Sequence, residues 1–177
     1  MYSILIGEGA NYNNTGGANN IAIGFYAGGH SSAAQYNSTM IGYGAADAGP
    51  GPTNSTVIGF NVFGNVQGNH PQYVTALGNY AMYGSAGTTT GINGAVAIGH
   101  ESLYSITSGG GNTAVGYKSG YAISSGTGNT VVGYDSALAL TTGGNNTILG
   151  REALKVTTGA SGMIAIGYQA GQSISGG

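Results

Sequence analysis

The sequence has no cysteine and no tryptophan, only three prolines, and only eight charged side chains, three basic and five acidic, among 177 residues. Each scarcity excludes something. Without cysteine there are no disulfides and no thiolate metal sites, although the compartment stays open. Collagen is excluded because proline is scarce and glycine does not recur at every third position. Three cations cannot neutralise a run of phosphates, so no nucleic-acid partner is expected. No apolar run approaches the roughly 20 residues of a membrane-crossing helix, so no membrane insertion is expected. Residues Met1 to Gly7 lack the basic start and long apolar core of a signal peptide. Charged disorder is excluded too, because charged residues make up 5% of the chain and hydrophobic ones 41%.

What the chain has in excess is glycine, 37 residues, and part of it is strictly placed. A short apolar triplet precedes a marker glycine at Gly7, Gly24, Gly42, Gly59, Gly78, Gly99, Gly116, Gly133, Gly150 and Gly167. The intervals are 17, 18, 17, 19, 21, 17, 17, 17 and 17 residues. Self-similarity at such a period is the signature of a repeat architecture. Directly before the glycine stands Ile, Val or Leu in all ten units, Ile23, Ile41, Ile58, Ile98 and Ile166 among them. Three residues before it stands Ile, Val or Thr, always β-branched. Three residues after it the side chain is small in every unit except at Val62. Asparagine often precedes the triplet, as at Asn37, Asn54, Asn112, Asn129 and Asn146.

So short a strand is not stable alone. Stacked on an equivalent strand every 17 residues or so, it becomes one step of a parallel ladder with a spacing of ~4.8 Å. Glycine supplies positive φ at the corners, asparagine tolerates it, and stacked asparagine amides can bond one another along the ladder. The spacing therefore predicts an all-β fold: a single domain over 1–177, a parallel β-solenoid (β-roll) of about ten 17-residue rungs. Helices are disfavoured by the glycine and β-branched content and by the lack of a 3.6-residue period.

Strand alternation puts the first and third triplet residues on one face and the middle one on the other. The constant aliphatic before the glycine marks its face as the interior, which also turns the recurrent threonines inward. The middle residue is apolar as well, from Leu5 to Ala165, and a strand apolar on both faces is buried on both. One face must then meet something outside its own coil, and the simplest partner is another copy about a symmetry axis. A homotrimer is expected.

Units such as Gly111–Gly120 and Gly144–Leu154, and the segments Val96-Ala-Ile-Gly99 and Ile164-Ala-Ile-Gly167, resemble repeats of bacteriophage tail-fibre proteins and the head repeats of trimeric autotransporter adhesins. The resemblance covers nearly the whole chain. It implies trimeric parallel β-rolls serving as rigid stalks or adhesive heads, placed outside the cell, on its surface or on a virion fibre. A coiled-coil stalk, a membrane anchor and a self-cleaving chaperone end are not recognisable in the chain. It reads as an excised segment, a short natural fibre, or a subunit that continues into another copy.

Chemistry-bearing residues are few. His30, His70 and His100 occupy different units and different unit positions, so no histidine-based catalytic or metal site is expected, and no cofactor. Glu101, Lys118, Asp135 and Glu152 share the position two residues after the marker glycine. They predict a surface charge ladder with Lys118 between carboxylates. Cation binding at Asp135 and Glu152 is the functional alternative. Glu101, Asp135 and Glu152 are also the only carboxylates on which a polysaccharide-degrading reading could rest. The position after the glycine is often aromatic (Phe25, Tyr43, Phe60, Tyr117, Tyr134, Tyr168). The fifth position holds Tyr12, Tyr83, Tyr104 and Tyr121. Such residues either pack between rungs or stack on sugars and partner proteins. The longer intervals predict bulges within 65–71 and 85–93. A receptor contact would be sought at Gln67, Asn69, His70, Tyr80 and Tyr83, with Tyr117 and Tyr134 as further ligand contacts.

These features favour a non-enzymatic fibre or adhesin segment that binds itself and cell-surface glycan or protein. Two alternatives stand beside it. One is a filament subunit stacking head to tail through open strand edges. The other is an ice-binding solenoid, which needs the threonines exposed and is disfavoured by their inward assignment.

Overall fold

The structure, a computed structural model, describes residues 2–31, 34–68, 70–84 and 88–172. It is all-β, with no helix among the described residues. The ten triplets form ten three-residue strands: Ile4–Ile6, Ile21–Ile23, Thr39–Ile41, Thr56–Ile58, Thr75–Leu77, Val96–Ile98, Thr113–Val115, Thr130–Val132, Thr147–Leu149 and Ile164–Ile166. Called rungs 1 to 10 below, they make one parallel sheet in chain order. Every pairing is in full register, as in Val96↔Thr113, Ala97↔Ala114, Ile98↔Val115. The chain is a parallel β-solenoid.

At the two ends of each triplet, backbone donors point along the axis in opposite directions. The first strand residue bonds forward, as in Thr113 N–H to the Asn129 carbonyl at 2.7 Å. The marker glycine bonds backward, as in Gly116 N–H to the Ile98 carbonyl at 2.8 Å. The turn after the glycine continues the alternation. Lys118 donates back to the His100 carbonyl at 2.9 Å, and Leu103 donates forward to the Ser119 carbonyl at 3.1 Å. To aim these groups, the second and fourth residues after the glycine adopt left-handed backbone even where they are large, with φ 50° at Leu103, 60° at Phe63 and 52° at Leu154. Each such residue costs about 1–2 kcal/mol, and the inter-rung hydrogen bonds it aligns offset this.

The marker glycines are fixed by close approach as well as by φ. At Gly99, φ is +130° and an added Cβ would lie 2.3 Å from the Gly116 carbonyl oxygen. Gly116 stands in the same relation to Gly133, at 2.4 Å.

Burial reverses the expected faces. The middle residues of rungs 2 to 10, from Ala22 and Met40 to Ile148 and Ala165, line the core. The flanking residues face outward, so Ile98, Leu149 and Ile166 are exposed, as are Thr130 and Thr147. The constant aliphatic before the glycine is therefore an outer row. The interior is filled instead from the turns. The third residue, small at Ala45, Ala81, Ser102 and Ser119 and larger at Val62, is buried beside the fourth (Phe63, Met82, Leu103, Leu154) and the seventh (Val66, Ile106, Ile123, Leu140). These rows give each coil a thicker core than the triplets alone.

Asparagine closes one corner of that core. Asn129 Nδ2 donates to Asn112 Oδ1 at 3.0 Å, and Asn146 Nδ2 donates to Asn129 Oδ1 at 2.8 Å. Each amide gives its second N–H to a turn carbonyl, at Gly126, Gly143 and Ala160 in order. A second ladder at the surface joins Asn19 to Asn37 and Asn37 to Asn54, at 3.1 and 2.9 Å.

The long intervals do not bulge freely. His30–Ser31 pairs in parallel with Ala48–Gly49, and Gln67–Gly68 with Thr88–Thr89. Gln67–Gly68 and Thr88–Thr89 belong to two successive long intervals, whereas the partner of His30–Ser31, Ala48–Gly49, belongs to an interval of ordinary length. Ser85 to Gly87, within the second expected bulge, lie outside the described residues.

Candidate functional site

Because the rungs are in register, any side chain type repeated at one position becomes a column. The outward rows of the long sheet form the first surface. One row runs Ile6, Ile23, Ile41, Ile58, Leu77, Ile98, Val115, Val132, Leu149, Ile166. Beside it Thr39, Thr56 and Thr75 lie in successive rungs, and so do Thr113, Thr130 and Thr147. None of the outward triplet positions is charged.

The position after the marker glycine forms an aromatic column along this surface. Phe25, Tyr43 and Phe60 stack at 5.1 and 5.2 Å between centroids. His100, Tyr117 and Tyr134 stack at 5.3 and 5.0 Å. Arg151 then takes the aromatic position, its guanidinium 5.6 Å from the Tyr134 ring and 5.8 Å from the Tyr168 ring. The fifth position carries a second stack, Tyr83, Tyr104 and Tyr121, at 5.3 and 5.1 Å. Tyr80 links the two columns edge-on, 5.5 Å from both Phe60 and Tyr83. Burial, with Tyr121 and Tyr83 on either side, raises the pKa of the Tyr104 phenol. In both columns the rings cover one another's faces, so they present edges and hydroxyls to solvent. Tyr117 and Tyr134, expected as ligand contacts, are mutually stacked in this way.

The remaining candidates fall elsewhere. His70 Nδ1 bonds the Gly51 carbonyl at 3.1 Å, Gln67 lies in the short ladder with Thr88, and Asn69 is outside the described residues. The ten marker glycines and the isoleucines before them occupy their expected ladder positions, with the isoleucines facing out rather than in.

Charges pair differently from a simple alternating ladder. Lys118 reaches Glu101 at 3.4 Å, and its pKa is raised by that bond. Asp135 and Glu152 are instead bridged by Lys155, at 3.3 and 3.6 Å. Lys155 sits five residues after Gly150, outside the position that Glu101, Lys118, Asp135 and Glu152 share, so the repeat does not mark it. The Lys155 ammonium occupies the place a cation would take between the two carboxylates. A hydrogen bond from Gln169 at 2.9 Å, then Lys155 and Arg151, holds the Glu152 pKa down. The three histidines do not converge on a shared partner. His30 bonds Asp47 at 2.7 Å and stacks on Tyr26, and His100 lies 3.8 Å from Glu101. Among the described residues no three His, Asp or Glu side chains gather as metal ligands. No family model, characterised protein or solved structure matches the chain.

Proposed function

We propose that the chain is a rigid rod of an extracellular or virion-surface fibre or adhesin, working as a homotrimer without catalysis. One observation carries the reading: an uncharged aliphatic and threonine face runs unbroken along ten registered rungs. A contiguous apolar strip of this length marks an interaction site. Its partner must present matching chemistry at the same repeat of ~4.8 Å, and another copy of the same ladder does so. Three strips meeting on one axis bury the face and leave the aromatic columns near the outside. The likeness of the repeats to phage fibre and autotransporter head repeats points the same way. With three copies, any weak surface contact is multiplied.

Light scattering on a sizing column tests this. The expected mass is three times the 17.4 kDa of one chain. Val115→Lys, which changes only the outward face, should give single chains with an unchanged β spectrum. A native protein that stays monomeric at tens of micromolar overturns the trimer, and a mass of two chains replaces it with a two-fold pair.

A second reading rests on the outward threonines, whose exposure removes the objection to an ice-ordering face. Two runs of three registered threonines offer hydroxyls and methyls on a regular grid. Thermal hysteresis in monomeric protein, lost in Thr130→Val, is the outcome that favours it.

A further inference from the structure

The aromatic column has a gap one rung deep. Position 79 in rung 5 holds asparagine where rungs 4 and 6 hold Phe60 and His100. The marker glycines of these three rungs stack directly, an added Cβ at Gly59 lying 2.7 Å from the Gly78 carbonyl oxygen and one at Gly78 2.7 Å from that of Gly99. Phe60 and His100 are therefore two rung spacings apart, and stacked rings in this column use about one spacing each. Asn79 does not fill the place of a ring, because its Oδ1 turns back to Phe60 N–H at 3.5 Å. Tyr80 lies edge-on to Phe60 and bounds the slot on the side of the second column. His100 is stacked on Tyr117 on one face, and its other face looks across the slot.

The same column shows what such a slot holds. Four rungs on, Arg151 occupies the equivalent position, its guanidinium over the rings of Tyr134 and Tyr168 and 3.5 Å from the carboxylate of Glu152. The rung 5 slot has ring systems above and below and a carboxylate, Glu101, beside His100, which it would share with Lys118. No lysine or arginine occurs before Lys118, while Glu8 and Asp47 do, so this half of the rod attracts cations. We propose that the slot between Phe60 and His100 is a docking site for an arginine side chain of a partner protein. A planar guanidinium can stack on both flanking rings at once, which the compact ammonium of lysine cannot do. The site does not depend on the rods associating with one another, and a monomer would retain it.

Blocked arginine amide, blocked lysine amide and a methyl glycoside serve as probes, read by NMR on the His100 and Phe60 ring protons. The arginine amide should shift both rings saturably, at a concentration at least tenfold below any effect of lysine. Asn79→Arg should place its own guanidinium in the slot, reproduce the shifts without ligand and abolish the response, with the β spectrum unchanged. His100→Ala should weaken the response while Tyr168→Ala, at the far end of the column, leaves it intact. An equal response to lysine, a response to the glycoside alone, or a response surviving in Asn79→Arg overturns the proposal.

Discussion

Glycine in this chain does two separate jobs that a single substitution can tell apart. Gly99 combines φ +130° with a close approach to the next rung, whereas Gly162, at φ +67°, has nothing within 4 Å of an added Cβ. Gly99→Ala should lose at least about 2 kcal/mol of stability, because both backbone strain and a backbone clash act. Gly162→Ala should lose only about 1 kcal/mol, the ordinary left-handed cost. Thermal unfolding of the two variants side by side checks the contrast. The chain makes part of this argument itself, since Asn145, one coil earlier at the corner of Gly162, adopts φ 58° without glycine.

At the scale of the ladders, stability depends on amides that bond to their own kind. Asn129 donates to Asn112 and Gly143 and accepts from both the main-chain N–H and the side chain of Asn146. Asn129→Ala strips partners from several buried groups at once. It should cost about 2–4 kcal/mol by denaturant unfolding, more than one ordinary hydrogen bond contributes. The charge cluster behaves otherwise. The Glu152 pKa is lowered, so its contribution is present above the normal carboxylate pKa of about 4.3 and is lost as pH falls through the lowered value. The Lys155 pKa is raised, chiefly by its bond to Asp135. Its share is present below the normal lysine pKa of about 10.4 and is lost as pH rises past the raised one. Between these limits the stability difference between the native protein and Glu152→Gln should be flat. Below about pH 4 the two should converge, which a pH series of melting temperatures measures.

For the whole molecule, the repeat was readable because the marker glycine, the β-branched residue and the aliphatic recur at almost one period. That periodicity alone fixed ten strands in one parallel sheet. Which face lies inside was not readable from it. A constant Ile or Val looks like core, yet Ile98 faces out because the interior is closed by turn residues such as Leu103 and Ile106. Those residues were visible at four and seven positions after the glycine. The inward direction of Leu103 depends on left-handed backbone at a large side chain, which residue type does not announce. The aromatic column was readable in part: six aromatic residues after the glycine marked it. That Arg151, in the ring position after Gly150, lies over two tyrosine rings, and that Lys155 bridges two carboxylates, follows from the fold and not from residue type. Each rung touches chiefly its neighbours, so stability in such an array grows by nearest-neighbour increments. Deleting one whole coil, residues 117–133, should keep the register and lower the melting temperature modestly, which circular dichroism would show. Complete loss of structure would contradict nearest-neighbour stability.

The hydrogen bonds between rungs run along the axis, from strand donors such as Thr113 N–H to carbonyls one coil further on. A load that pulls the two tips apart therefore falls on one set of inter-coil bonds after another, rather than on all of them side by side. Under rising tension the column should lengthen in steps, each releasing one coil of about 17 residues and so roughly 50–60 Å of slack chain, and should rewind when the force is withdrawn. Tethered between a surface and whatever it holds, such a molecule would yield gradually before it let go.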